Sequence, residues 1–203
     1  MVVPSPTLLG GAIVIDKKQL RAELKRRRAD HVAAIPDFQR GLLFRLPPAP
    51  VVRMVPLGAV IAVFHEMPDE VPASNYARWF FEAGHRVALP WFADRGAPMQ
   101  FREWGNPFDD DQLEADPFRA MQPCSDADLL VPDVVFCPLL GFTASGHRIG
   151  YGAGHYDRWL ADNPPRAAIG LAWDCQLEED LPIETHDVPL HAVVTPTRLY
   201  GPF

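Results

Sequence analysis

The sequence predicts an α/β fold, a three-layer sandwich whose mostly parallel central sheet is flanked by helices. Three observations carry that expectation. Continuous apolar runs rich in β-branched residues, such as GAVIAVF (58–64) and DVVFCPLL (133–140), have the pattern of strands buried on both faces. Segments of helical spacing lie between such runs, and this alternation calls for parallel pairing with helices as crossovers. The length of 203 residues, 48% of them hydrophobic, suits one sizeable core and a single domain over residues 1–203.

The elements follow in order. MVVPSPTLLGGAIVI is apolar but has no basic stretch before it, so residues 1–15 are expected to be a loose N-terminal tail. No apolar run reaches the roughly 20 residues needed to span a bilayer. Residues 17–34 carry leucines at 20 and 24 and alanines at 22, 29, 33 and 34, a narrow apolar stripe on a helix that Pro36 ends. FQRGLLFRL (38–46) reads as a second short helix before the breaker PPAP, and 58–64 as the first strand. SNYARWFFEAG (74–84) is a helix with Ser74 at its N-cap and Gly84 at its end. HRVALP (85–90) is a second buried strand and PMQFREW (98–104) an edge strand. The acidic stretch 109–116 is expected to be an exposed loop or a helix start. A third core strand (133–140), a short helix HYDRWLAD (155–162) and strands AAIGLAW (167–173) and HAVVT (191–195) complete the set. Trp104, Phe142 and Trp173 are assigned to the core.

The net charge of −7 hides an asymmetry. DKKQLRAELKRRR (16–28) holds seven basic and two acidic residues, leaving −12 for the rest of the chain, and it contains all three lysines. A basic segment on an acidic body argues against coating nucleic acid. It suits a local anionic ligand, with a solvated helix face as the alternative. Cys124, Cys137 and Cys175 are widely spaced, with no C-x-x-C pair, so a structural zinc site is not expected; an odd count fits a reducing cytoplasm.

The most informative stretch is GHRIGYGAGHYDRWL (146–160). It follows a core strand and precedes a helix, the position where open α/β sheets bind ligands. Gly150, Gly152 and Gly154 would let backbone N–H groups approach an anion, the helix start adds unpaired N–H groups, and Arg148 adds a charged fork. The stretch is neither G-x-x-x-x-G-K-[ST] nor G-x-G-x-x-G, so a tight structural turn is the alternative to a phosphate cradle. Asp157 falls in the first helical turn. There a carboxylate either complements the helix dipole or holds Mg²⁺ beside bound phosphates.

RIGYGAGHYDRWL after DVVFCPLLGF resembles the R-L-G-x-G-x-G-Y-Y-D signature of the 5-formyltetrahydrofolate cyclo-ligase family. KKQLRAELKRR is similar to that family's basic N-terminal helix, MPDE to its M-x-D-E segment, and ETHDVPLHAVVT to its late acidic motif. The matches run in order from Lys17 to Thr195. The resemblance implies an enzyme that uses ATP and Mg²⁺ to close 5-formyltetrahydrofolate into 5,10-methenyltetrahydrofolate, releasing ADP and phosphate. It places Lys17, Arg21, Arg148, Ile149, Gly150, Tyr151, Gly152, Ala153, Gly154, His155 and Tyr156 around ATP. It places Met67, Pro72, Trp91 (within PWF) and Tyr151, Gly152, Ala153, Gly154 and His155 near the folate. Asp157 and Asp187 are its implied metal ligands. Thr143, His155, Pro72 and Ala73 depart from the family pattern, and Pro72 falls in the implied substrate region. A paralogue that keeps the nucleotide site but acts on another substrate, or as a binding protein, is the alternative. A monomer or weak homodimer in the cytoplasm is expected, with no nucleic-acid or membrane partner.

Overall fold

The computed structural model describes residues 16–185 and 187–203; the expected N-terminal tail lies outside the described residues. Helix α1 (Lys17–Ala33) is capped by Asp16, whose carboxylate accepts the Lys18 N–H. It buries Leu24, Arg28 and Val32, one residue per turn, and leaves its alanines exposed. The apolar stripe is therefore completed by an arginine, which the sequence reading did not anticipate.

The expected second helix is only one turn, α2 (Asp37–Arg40), and α3 (Ala49–Met54) starts inside PPAP. A proline in the first helical turn forfeits an N–H that has no intrahelical partner anyway, so what reads as a breaker is here a helix start. After β1 (Val60–Ala62), helix α4 (Ala73–Glu82) has Pro72 at its N-cap position. Ser74, expected as the cap, lies inside the helix; the Glu66 carboxylate accepts both its N–H (3.0 Å) and its hydroxyl (2.6 Å).

Strand β2 (Arg86–Trp91) pairs antiparallel with β3 (Gln100–Glu103), which is not an edge, because β6 (Leu129–Leu130) covers it. Part of the acidic stretch is neither loop nor helix. Its β4 (Leu113–Ala115) forms a hairpin with β5 (Met121–Pro123). Core strand β7 (Val134–Cys137) leads into a small hairpin, β8 (Gly141–Thr143) and β9 (Arg148–Ile149), and then into α5 (His155–Asp162). Strands β10 (Ala167–Leu171), β11 (Leu177–Glu178), β12 (Ala192–Val194) and β13 (Leu199–Tyr200) follow.

The main sheet runs β13-β12-β10-β7-β1-β2-β3-β6, and the five strands from β12 to β2 are mutually parallel. Strand alternation then sorts the core into two layers. Val134 and Phe136 join Tyr76 and Phe80 of α4 and Val32 of α1 on one face. Val135 and Cys137 join Trp159 and Leu160 of α5 on the other. Helices thus cover both faces, which is the expected sandwich. Trp104, Phe142 and Trp173 are buried, as assigned. Among the described residues no helix is long and apolar enough to cross a membrane.

Candidate active site

A cavity of about 420 Å³ opens at the carboxyl ends of β1, β2 and β7, where Phe64, Pro90 and Pro138 reach its wall. Residues that follow parallel strands converge there because every strand of such a sheet ends on the same side. The volume is that of a small-molecule site.

Part of the cavity wall is polar. The glycine loop is held by the β8–β9 hairpin beneath it, where Leu140 N–H donates to the Ile149 carbonyl. Gly152 (φ 102°) and Gly154 (φ 67°) occupy the left-handed region, which side chains rarely adopt, so the loop conformation itself requires them. A Cβ at Gly152 would also lie 3.1 Å from the Arg21 guanidinium carbon. Gly154 is the N-cap of α5 and offers no side chain to its first turn, so His155, Tyr156 and Asp157 begin the helix on the cavity wall. Arg21 reaches this loop from α1, with Nε donating to the Gly150 carbonyl at 3.0 Å. Lys17, one turn earlier, lies 2.9 Å from Glu184 and 3.7 Å from Asp187. Lys18 is exposed and off the wall.

Arg148 was expected to present a free charged fork. It does not: Nη2 binds Asp157 Oδ1 at 2.7 Å, Nη1 donates to the Val188 carbonyl, and the side chain is 4% exposed. Arg148 thereby ties the start of α5 to the segment carrying Asp187. Asp157 Oδ1 is engaged by Arg148 and, at 3.5 Å, by Val188 N–H, whereas Oδ2 has no partner among the described residues. Asp157 and Asp187 both line the cavity. No group of three His, Cys, Asp or Glu suited to a metal exists among the described residues. The pair of hard oxygen donors fits Mg²⁺, which takes one or two carboxylates and fills its shell with phosphate oxygens and water.

The wall also carries an apolar set and one buried carboxylate. Phe92, Met99 and Phe118 line it, together with half-exposed Met67. The His155 ring packs edge-on against Phe92 (4.8 Å between centroids) and beside Phe118 (5.4 Å). Burial and then the neighbouring Arg158 hold the His155 imidazole below its ordinary pKa, which favours the neutral ring. Glu70 accepts the Met67 N–H at 2.9 Å and the Tyr151 hydroxyl. Tyr151 in turn accepts from Arg28 Nη1 (2.7 Å), and Arg28 also holds Asp69 through Nε (3.0 Å) and Nη2 (2.9 Å). Burial pushes the Glu70 carboxyl above its ordinary range; the Met67 N–H, Tyr151 and Arg28 oppose the rise.

Two residues expected near the folate are not on the wall. Trp91 points away because neighbours on a strand face opposite sides: Pro90 and Phe92 line the cavity, while the Trp91 ring lies under the Arg102 guanidinium, 4.3 Å from its centroid. Pro72 is spent on starting α4.

The comparisons with known proteins agree with one another. A model of the 5-formyltetrahydrofolate cyclo-ligase family matches residues 14–196. The chain belongs to the 5-formyltetrahydrofolate cyclo-ligase family. It is 32% identical to the 5-formyltetrahydrofolate cyclo-ligase of Escherichia coli K12 over 152 residues, 72% of this chain and 82% of that one. A cyclo-ligase of Mycolicibacterium smegmatis is 42% identical over 67 residues, covering 32% of this chain and 34% of its own. The 5,10-methenyltetrahydrofolate synthetase of Aquifex aeolicus superposes with a TM-score of 0.71 over 92% of both chains at 22% identity. That of Mycoplasma pneumoniae gives 0.61 at 20% identity, over 88% of this chain and 98% of its own. The fold class is that of these synthetases, and the chain is an enzyme, a cyclo-ligase of folate metabolism.

Within this cyclo-ligase, the departures from the family pattern take on different weights. Thr143 is buried in the β8–β9 turn, where its Oγ1 meets Ser145 Oγ (2.9 Å) and accepts the His147 N–H (3.2 Å); it is not on the cavity wall. Pro72 and Ala73 are also off the wall, so of the four only His155 meets the cavity. The sequence brings MPDE forward without giving Glu70 a role, reaches Phe92 only as part of PWF, and leaves out Phe118 and Arg119. The first had a signal, a carboxylate in a motif already noticed. The last two lie in the β4–β5 turn, and nothing in their own sequence reports which part of the sheet that turn folds over.

Proposed function

We propose that this cyclo-ligase closes 5-formyltetrahydrofolate to 5,10-methenyltetrahydrofolate with ATP and Mg²⁺, in the cavity described above. The observation that carries the reading is that one cavity wall combines two sets of groups: Lys17, Arg21, the glycine loop, Asp157 and Asp187, and with them Met67, Phe92, Met99, Phe118 and the buried Glu70.

A formyl amide oxygen is a poor leaving group until it is phosphorylated. Phosphoryl transfer needs alignment and charge stabilisation more than covalent help. In this reading the triphosphate lies along the N–H groups of residues 150–156, with Lys17 and Arg21 as its cations. Arg148 serves by orienting Asp157 rather than by touching phosphate. Mg²⁺ held by Asp157 and Asp187 would neutralise charge on the phosphate oxygens. The pterin lies against the apolar lining, where the Glu70 carboxylate accepts N–H groups of the ring and Met67 and Phe92 supply flat apolar surface. After transfer, N10 attacks the activated formyl carbon, the N10–C bond forms as the C–O bond to phosphate breaks, and N10 gives up its proton. Enclosure by Phe118 and His155 keeps water from the activated carbon.

The test is direct. Protein incubated with Mg-ATP and 5-formyltetrahydrofolate should produce the methenyl chromophore, and omission of either ATP or Mg²⁺ should stop it. ATP binding by calorimetry without chromophore would refute the folate half of the reading and favour another substrate.

A further inference from the structure

Arg119 is the unexplained cation of the cavity. It sits at the tip of the β4–β5 hairpin and is exposed, yet it lines the cavity. The other two cavity arginines are engaged, Arg21 with the Gly150 carbonyl and Arg148 with Asp157 and Val188. The Arg119 guanidinium makes no hydrogen bond, ion pair or ring contact with the described residues. Its neighbour Arg95 does not compete for the role, being held by the Pro117 carbonyl (3.0 Å) and the Phe118 ring and lying off the wall.

The backbone fixes where Arg119 stands. Its φ is 72°, the left-handed region that glycine occupies at least cost. The turn holds it there: Asp116 Oδ1 accepts the N–H groups of Phe118 (2.7 Å) and Ala120 (2.8 Å), and Arg119 N–H donates to the Asp116 carbonyl (3.1 Å). An arginine at a position suited to glycine, carried by a closed turn, is an outlier from which a role can be argued. Asp116, the nearest acid on the turn, spends Oδ1 on that backbone. Beside Arg119, Phe118 packs on Phe92 and His155 in the cavity wall.

From this placement we infer that Arg119 is a specificity residue that binds a carboxylate of the glutamyl tail of the folate at the mouth of the cavity. The inference rests on the proposed placement of the pterin against the apolar lining. A reduced folate buried there has a p-aminobenzoyl ring and then a glutamate with two carboxylates leading outward. The open side of the cavity, where exposed Arg119 stands, must accommodate that dianion, and the whole chain carries −7. A lone cation held at the mouth offsets the repulsion and supplies a charge-assisted hydrogen bond.

The test compares 5-formyltetrahydrofolate with 5-formyltetrahydropteroate, which lacks the glutamate. Arg119→Gln should raise KM for the full substrate about two- to fivefold, the range of a solvated ion pair, with kcat and the KM for ATP unchanged. KM for the tail-less substrate should be the same in wild type and variant, and Arg119→Lys should recover part of the loss. An equal rise for both substrates would show that the substitution acts through the turn, and would overturn the inference. So would an unchanged KM for the full substrate, or a rise confined to ATP. Failure of wild type to use either substrate would instead overturn the folate placement, and the inference with it.

Discussion

Replacing Arg28 by methionine tests how the buried polar network around Glu70 is held. Methionine keeps most of the apolar stem and removes the charge. The side chains of Arg28 and Glu70 are 3% and 5% exposed and lie 3.6 Å apart. Removing one partner of a buried pair costs about 3–5 kcal/mol, because the other charge is left uncompensated. Asp69 is 30% exposed and can return to water, so its loss adds little, and Tyr151 and the Met67 N–H still serve Glu70. The expected cost is therefore at the low end, about 3 kcal/mol at pH 8. It should depend on pH in a definite direction. The Glu70 carboxyl is already raised by burial, and loss of Arg28 raises it further. A carboxyl whose folded pKa lies above its unfolded value, about 4.3, makes the folded state lose stability as pH climbs from that value through the folded one. Tyr151, also pushed up by burial, stays protonated throughout and cannot mask the effect. The gap between wild type and Arg28→Met should thus be smaller at pH 5 than at pH 8. Urea unfolding at the two pH values measures it, and a second variant, Arg28→Met with Glu70→Gln, should regain most of the loss. A gap independent of pH, or below about 1 kcal/mol at pH 8, would refute the account.

Three further outcomes are expected. Asp157→Asn should lower turnover by about 100-fold or more at saturating Mg²⁺. It should also destabilise the fold by about 3 kcal/mol, since it strips the nearly buried Arg148 of its carboxylate; wild-type turnover would exclude a role at the metal. Lys17→Gln and Arg21→Gln should each weaken ATP binding by about 1.5–3 kcal/mol in calorimetry while Lys18→Gln has no effect, and equal small effects at all three would mean a merely solvated helix face. Pro72→Glu should leave KM for 5-formyltetrahydrofolate within about twofold, because the residue lies off the cavity wall, and a tenfold change would contradict that placement.

The sequence by itself determined the layers and most of the polar part of the site. Strands buried on both faces leave continuous apolar runs, so β1, β7, β10 and β12 were legible. The glycines and Asp157 were legible because a left-handed loop followed by a helix start is a local property of a few consecutive residues. What only the tertiary structure decided is whichever contact depends on a partner far along the chain. Arg28 reads as one more solvated base of α1 until Asp69 and Tyr151, 41 and 123 residues away, close around it. Arg148 reads as a free phosphate ligand until Val188 arrives to fix it beside Asp157. The choice of Phe92 over Trp91 turns on the phase of an alternation, which the sheet sets through the pairing of β2 with β1 and β3. The β4–β5 turn, an acidic loop to the eye, brings Phe118 and Arg119 to the cavity because its hairpin packs over the carboxyl end of the sheet. Local pattern reports backbone conformation and burial; which charges meet is set by the closure of long loops, and that is a property of the folded chain.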